Sequence, residues 1–239
     1  MTAKFNPRQA ATVILLRRAA SNGFEVFLTR RPDNMPFLGG MYCYPGGRVN
    51  KEDYAPAMIE RCVGMTPNQA RKIIGAQFSP PDALGLWVAA VRELFEEVGV
   101  LLAVDELGHN LSGAAALMER LSVKHELLIA KSLDFLALLK SEGLRCDLRT
   151  LAPFSCWQTP ARFSTRFDTR FFIAALPEGQ VPLATSYEVA HSLWLTPERA
   201  MKLFADKELP MIFPTFAALR TLADFQTLES VFEEFLPPL

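Results

Sequence analysis

The sequence predicts an α/β protein in which helices pack against a mixed β-sheet. Residues 11–18 (ATVILLRR) form a β-branched run, and residues 24–31 (FEVFLTRR) alternate apolar and polar side chains. Asn22-Gly23 lies between them, and this arrangement is typical of a β-hairpin. A longer apolar stretch with helical spacing follows at 82–98, so strand and helix signals occur in the same chain.

The later part of the chain returns to strand signals and ends in helical ones. The strand-like stretches are residues 151–158, 166–176 and 191–197. The helical stretches that follow are residues 196–207, 213–225 and 227–236. Strands that recur after long helical stretches indicate one mixed sheet rather than an all-helical or all-β protein.

Two helix-rich stretches interrupt the strand pattern, at about 51–81 and 105–142. In the first, residues 54–64 have the pattern of a short helix, and Thr66 followed by Pro67 marks the start of another. We therefore expect a single domain over residues 1–239 that carries these two helical insertions.

The long helical stretch has a clear start and end. Pro81 or Asp82 is expected to open it, because proline is favoured in the first helical turn. Gly99 is expected to close it in the left-handed conformation that ends many helices.

Composition narrows the classes of function. Half of the residues are hydrophobic, the net charge is −1, and no apolar run approaches the roughly 20 residues of a membrane span. The N-terminus has no hydrophobic signal segment, so we expect a soluble cytoplasmic protein that binds neither nucleic acid nor membrane. The four cysteines form no CxxC pair, and no HExxH or GxSxG motif occurs.

An acidic cluster lies at the end of the long helical stretch, where RELFEEVGV begins at Arg92. Glu93 lies three residues before Glu96 and four before Glu97, so a helix places all three on one side. Each like-charged pair costs roughly 0.2–0.5 kcal/mol on an exposed helix, and a hard divalent cation such as Mg²⁺ would remove that cost. A solvated acidic face is the alternative explanation.

This cluster and its surroundings resemble the signature of the Nudix hydrolases. The signature is a glycine, five residues, a glutamate, seven residues, then arginine, glutamate, an aliphatic residue, any residue, two glutamates, any residue, glycine and an aliphatic residue. Its second half matches throughout residues 92–100. With Gly47 as the first glycine, the arginine is expected at position 61 but stands at 92, which is 31 residues later. Asp53 occupies the position of the early glutamate.

A signature divided by an insertion resembles one branch of the family, the coenzyme A diphosphatases of the peroxisomal type and their bacterial relatives. That branch carries, before the signature, a motif of about LLTxR, a spacer, a glycine and FPGG. The stretch FLTRRPDNMPFLGGMYCYPGG is similar, with Tyr44 in the phenylalanine position. Residues 157–177 (WQTPARFSTRFDTRFFIAALP) are also similar to this branch. The resemblance implies a Nudix fold, an α/β/α sandwich with a mixed β-sheet plus helical insertions.

The resemblance also implies an activity: metal-dependent hydrolysis of the pyrophosphate bond of coenzyme A or acyl-coenzyme A, giving 3′,5′-ADP and (acyl-)4′-phosphopantetheine. It implies Mg²⁺ or Mn²⁺ as cofactor, with Arg92 orienting the acidic cluster. Glu188, just before the strand-like HSLWL, is the candidate general base, and an exposed loop carboxylate is the alternative. The implied metal ligands are Glu93, Glu97, Glu96 and the carbonyl group of Gly46.

Cations outside the metal site are expected to bind the phosphates of such a substrate, because arginine matches phosphate in a bidentate way. The candidate substrate-binding residues are Arg30, Arg31, Gly47, Arg166 and Arg170. If Arg166 and Arg170 both lie in one strand, they share a face, since they are an even number of residues apart. A surface ion pair is the alternative for each arginine.

Other functions stay open at this point. The same signature serves Nudix pyrophosphatases that act on ADP-ribose, NADH or diadenosine polyphosphates. A non-catalytic Nudix-fold binding module is a further alternative, which the intact acidic cluster disfavours. The insertions are expected to cover the acyl end of the substrate or to form the interface of a homodimer.

Overall fold

The computed structural model describes residues 7–20, 23–112 and 115–236. Asn22 of the predicted hairpin turn lies outside the described residues. The strands are β1 (Arg8–Arg18), β2 (Phe24–Arg30), β3 (Tyr42–Cys43), β4 (Gly46–Arg48), β5 (Cys62–Val63), β6 (Ala103–Asp105), β7 (Leu144–Asp147), β8 (Leu151–Gln158), β9 (Phe167–Ala175) and β10 (His191–Leu195). The helices are α1 (Pro56–Ile59), α2 (Pro67–Ile74), α3 (Pro80–Val98), α4 (Ala115–Ile129), α5 (Phe135–Glu142), α6 (Pro197–Ala205), α7 (Phe213–Leu222) and α8 (Leu228–Phe235).

The main sheet is mixed and is organised around β1. Its strands follow the order β10-β2-β1-β9-β8, with β3 added to β2 and β4 added to β1. β1 runs parallel to β9 and antiparallel to both β2 and β4. The first half of β1 pairs with β4 and the second half with β2, so the glycine-containing β4 lies directly beside the central strand.

The two faces of the main sheet support separate apolar cores, because side chains alternate along each strand. Val13 and Leu15 of β1 pack in the core that contains α3. Ile14 and Leu16 pack in the core beneath α6, α7 and α8. Helices therefore cover both faces, and the predicted α/β/α sandwich is confirmed.

The two predicted insertions contribute more than helices. β5, from the first, pairs with β7, and β7 pairs with β6 to make a second, three-stranded sheet. The helix predicted over residues 54–64 is wrong for its second half: α1 is a four-residue helix, and Cys62 then pairs with Cys146 in a strand. The local pattern gave no sign of β5, because its partner lies more than 80 residues away.

The long helix α3 begins slightly earlier than predicted and ends where predicted. Ser79 is its N-cap, since its hydroxyl oxygen accepts a hydrogen bond from the Asp82 backbone N–H, so the helix opens at Pro80. Gly99 ends it with φ of 72°, a left-handed conformation that glycine adopts without strain. Most of the helix is buried, and Trp87 packs on Phe172 of the sheet at 5.0 Å between ring centroids.

Among the described residues, no helix combines the length and the apolar character needed to cross a membrane.

Candidate active site

A buried arginine organises the acidic cluster at the end of α3. Arg92 is only 5% exposed, and its Nε and Nη2 atoms bind the two carboxylate oxygens of Asp53 at 2.7 and 2.9 Å. Its Nη1 atom donates to Glu93 at 2.8 Å and to Glu96 at 2.9 Å. Nη2 also donates to the carbonyl oxygen of Arg48 at 2.8 Å, which ties the helix to β4. Burial alone would lower the pKa of Arg92, but the Asp53 hydrogen bonds and the surrounding carboxylates raise it.

Asp53 supports the side chain of Arg92, in keeping with its place at the early-glutamate position of the signature. It is 1% exposed and lies in the 3₁₀ turn Lys51–Tyr54, where it also accepts a hydrogen bond from the Asn50 backbone N–H at 2.7 Å. The extra residues loop out between Asp53 and Arg92, so the two side chains still meet. The insertion therefore lengthens the signature without breaking its ion pair.

The two adjacent glycines of β4 make room for the carboxylates. A Cβ atom at Gly47 would overlap the carboxylate group of Glu93, so any larger residue there would displace that side chain. A Cβ atom at Gly46 would overlap the backbone of β1 at Ala11 and Thr12. The Gly46 N–H donates a hydrogen bond to Oε2 of Glu97 at 3.3 Å, which holds that carboxylate beside β4.

Burial and mutual repulsion disfavour the charged forms of the three glutamates. Burial, followed by the charge of Glu96, raises the pKa of Glu93 to about 7, although Arg92 opposes the shift. The pKa of Glu97 is raised well above its usual range by burial and by the charges of Glu93 and Glu188. Burial also raises the pKa of Glu96. The carboxylates of the cluster therefore outnumber the positive charge that Arg92 supplies.

The donor set fits a hard divalent cation. Oε2 of Glu93 and Oε1 of both Glu96 and Glu97 have no hydrogen-bond partner within the described residues, and all are carboxylate oxygens. Such oxygens, with backbone carbonyls, are the ligands that Mg²⁺ and similar ions prefer. Among the described residues, no group of three or more His, Cys, Asp or Glu side chains is arranged to hold a metal ion. Arg92 instead draws Glu93 and Glu96 to itself.

Glu188 lies next to the cluster. Its carboxylate is 3.6 Å from Nη2 of Arg31, and its charge contributes to the raised pKa of Glu97 and of Glu96. Arg31 in turn lowers the pKa of Glu97, so an arginine sits between two acidic groups. Glu188 is about half exposed, which leaves it open to solvent on one side.

The other predicted substrate-binding arginines make local contacts that do not include the acidic cluster. Arg30 pairs with Asp33 at 2.6 Å, and Nε of Arg166 donates to the Thr159 carbonyl at 3.1 Å. Arg170 is buried, pairs with Asp168 and lies over the ring of Phe78. β9 begins one residue after Arg166, so Arg166 and Arg170 do not lie in the same strand.

The mixed sheet, the buried arginine and the acidic helix beside the two glycines of β4 together define a Nudix domain. A family model described as the NUDT19 Nudix domain matches residues 7–222, and the chain belongs to this family. The resemblance noted from the sequence is thereby confirmed.

Curated relatives and a solved structure agree with this assignment. The chain is 26% identical over 273 residues to acyl-coenzyme A diphosphatase NUDT19 of Gallus gallus, covering 94% of this chain and 70% of the relative. It is 26% identical over 251 residues to acyl-coenzyme A diphosphatase NUDT19 of Homo sapiens, covering 90% of this chain and 64% of the relative. The crystal structure of a NUDIX hydrolase from Alicyclobacillus acidocaldarius superposes with a TM-score of 0.74 at 26% identity, covering 99% of this chain and 100% of the other.

Replacing Asp53 with alanine is expected to destabilise the fold strongly. The change leaves the Arg92 guanidinium buried without its bidentate partner, which typically costs about 3–5 kcal/mol. Denaturant unfolding measures the change in free energy. Asp224→Ala, which removes the partner of the exposed Arg220, is the matched control and should cost less than about 1 kcal/mol. Equal losses in the two variants would contradict the central role of the Asp53 contact.

Glu97→Gln is expected to stabilise the protein in a chelator, increasingly as pH rises. A carboxyl group with a raised folded-state pKa contributes stability that is fully present below its unfolded pKa of about 4.3 and is lost as pH increases. The amide side chain stays neutral at every pH. The melting temperature of the variant should therefore exceed that of the parent by about 2–4 °C or more at pH 8, and by little at pH 4. Thermal melts across this range measure the difference, and a constant gap would contradict it.

Proposed function

We propose that this protein is a metal-dependent hydrolase that cleaves the pyrophosphate bond of coenzyme A or acyl-coenzyme A. The products are 3′,5′-ADP and 4′-phosphopantetheine or its acyl form. The observation that carries the proposal is the acidic cluster of Glu93, Glu96 and Glu97 packed against Gly46-Gly47. The names of the relatives support the substrate class. The alignments to them span 63–70% of the relatives' length, so the activity of the whole proteins is carried over as a proposal.

Mg²⁺ or Mn²⁺ is the proposed cofactor, held by Glu93, Glu97 and the Gly46 carbonyl with Glu96 as a further ligand or neighbour. Bound there, such a cation polarises phosphoryl oxygens, acidifies bound water and neutralises developing negative charge. Arg92 holds Glu93 and Glu96 in one orientation, and Asp53 holds Arg92. Gly47 leaves room for the Glu93 carboxylate beside β4.

Glu188 is the proposed general base. Its carboxylate would accept a proton from the water that attacks phosphorus, and its partial exposure gives water access. Arg31, close to both Glu188 and Glu97, keeps Glu188 in position and supplies positive charge where the diphosphate would lie. Arg30, Arg166 and Arg170 stay predicted substrate contacts. Each would have to exchange a present partner for a phosphate.

The decisive activity experiment is a panel of pyrophosphate substrates with and without Mg²⁺ or Mn²⁺. We expect cleavage of coenzyme A and an acyl-coenzyme A, with both products identified by mass spectrometry. Glu97→Gln should lower kcat by about 100-fold or more, because it removes one charged metal ligand. Glu126→Gln, on the exposed face of α4, is the matched control and should retain parental kcat. Cleavage confined to ADP-ribose, NADH or diadenosine polyphosphates would reject the substrate while keeping the reaction type.

Glu188→Gln tests the general base. Loss of a base typically lowers kcat by about 100- to 10,000-fold, and KM should change far less than kcat. Steady-state kinetics on the cleaved substrate measures both. Retention of parental kcat would assign the base to another residue and leave Glu188 as the partner of Arg31.

Location and assembly are proposals from the sequence. The proposed location is the cytoplasm, and a homodimer is one use of the helical insertions. Sedimentation of the purified chain distinguishes a monomer from a dimer.

A further inference from the structure

The last turn of α3 carries two of the three clustered glutamates, and its backbone needs hydrogen-bond partners from outside the helix. The final backbone hydrogen bond of this helix runs from the Gly99 N–H to the Phe95 carbonyl at 2.8 Å. The carbonyl groups that follow Phe95 are therefore among those that a helix end leaves without an intrahelical partner. Glu96 and Glu97 both lie in this turn, whereas Glu93 lies one turn earlier.

His125, on α4 of the second insertion, is the partner of the Glu96 carbonyl. Its Nε2 atom lies 2.9 Å from that oxygen. Because a carbonyl oxygen can only accept a hydrogen bond, Nε2 carries the proton and donates it. His125 is only 9% exposed, and its ring lies nearly perpendicular to that of Phe95 with 5.2 Å between the centroids. His125 therefore makes a polar and an apolar contact with the same turn of α3.

Glu96 is thereby held at both its side chain and its backbone. Its Oε2 atom accepts a hydrogen bond from Nη1 of Arg92 at 2.9 Å, and its carbonyl oxygen accepts one from His125. Arg92 belongs to the same helix, but His125 comes from a segment that interrupts the sheet pattern. The position of Glu96 therefore depends on where the second insertion packs.

A second carbonyl at this helix end also has a partner from a distant segment. The carbonyl oxygen of Val98 accepts a hydrogen bond from the Leu183 N–H at 2.9 Å. Leu183 precedes Glu188 by five residues in the stretch between β9 and β10. The end of α3 is therefore the place where the second insertion and the segment of the proposed general base are both attached.

The second insertion is braced in a way that keeps His125 in place. Nζ of Lys124, the neighbour of His125 on α4, pairs with the Glu142 carboxylate of α5 at 2.5 Å. Phe135 of α5 packs near Phe95 with 6.4 Å between ring centroids. The two helices are thus joined to each other and to the same turn of α3.

We infer that His125 is a positioning residue for the acidic cluster and that the second insertion acts on the reaction through it. By holding the Glu96 carbonyl, His125 holds the last helical turn and the directions in which Glu96 and Glu97 leave it. Functional groups need placement to within about 0.5 Å, so release of this turn weakens the metal site. The inference rests on the proposed function, since it takes the cluster as that site. It gives the insertion a role other than covering the acyl end of the substrate or forming a dimer interface.

The kinetic test compares two variants of His125. His125→Phe keeps an aromatic ring against Phe95 but removes the N–H donor, so the Glu96 carbonyl loses its partner. The Mg²⁺ concentration that gives half-maximal kcat should rise about 10-fold, the lower end of the loss typical for groups that support metal ligands. KM for coenzyme A at saturating Mg²⁺ should stay near the parental value. His125→Gln restores an N–H donor and should bring the Mg²⁺ requirement back close to that of the parent.

Leu121→Ala is the matched control for a merely structural effect. Leu121 is buried on α4 one turn before His125, and such a truncation typically costs about 2–5 kcal/mol. It should lower the melting temperature and leave the Mg²⁺ requirement unchanged. An equal rise in the Mg²⁺ requirement of Leu121→Ala, or a parental requirement in His125→Phe, would overturn the inference. A higher KM for an acyl-coenzyme A with an unchanged Mg²⁺ requirement would also overturn it and assign the insertion to the acyl end.

A binding test with Mn²⁺ alone does not depend on catalysis. The full chain is melted over a series of Mn²⁺ concentrations, since an ion that binds only the folded state raises the melting temperature. His125→Phe should need about 10-fold more Mn²⁺ than the parent for the same rise, and His125→Gln should resemble the parent. This difference without any cleavage of coenzyme A would support the positioning role and reject the proposed substrate. Cleavage of coenzyme A by the parent, with equal Mn²⁺ responses in all three proteins, would overturn the positioning role and keep the proposed function.

Discussion

The buried pair of Arg92 and Asp53 is the contact on which the site depends. One guanidinium group satisfies five hydrogen bonds: two to Asp53, one each to Glu93 and Glu96, and one to the Arg48 carbonyl. It thereby connects the 3₁₀ turn, the helix α3 and the strand β4. A lysine would not replace it, because an ammonium group lacks the planar fork that holds two carboxylate oxygens at once.

That contact also explains why the chain tolerates a crowded acidic helix. The fold places Glu93, Glu96 and Glu97 in partly dehydrated positions where ionisation is unfavourable, and one arginine offsets only part of the cost. In the proposed function, this local loss of stability is exchanged for affinity toward a cation and its bound diphosphate. Such a trade is common where a functional site needs charges that folding alone would avoid.

Local patterns were sufficient to predict much of the fold, and non-local contacts account for the rest. Apolar spacing and capping preferences predicted the long helix and its closing glycine, and α3 shows both. The strand β5 could not be predicted, because two residues form it and their partner is Cys146. In the site, the cluster on α3 was readable from spacing alone. The partner of Arg31 was not, since a loop distant in sequence brings Glu188 to it.

The parallel ladder between β1 and β9 has a consequence for biosynthesis. It pairs Arg8 with Phe167 and continues to Leu16 with Ala175, so the centre of the sheet joins segments about 160 residues apart. A ribosome must release nearly three-quarters of the polypeptide before this ladder can close, and contacts of such long sequence separation form slowly. Until then the apolar strand β1 has an open edge, which is a natural binding surface for a chaperone and a risk for aggregation.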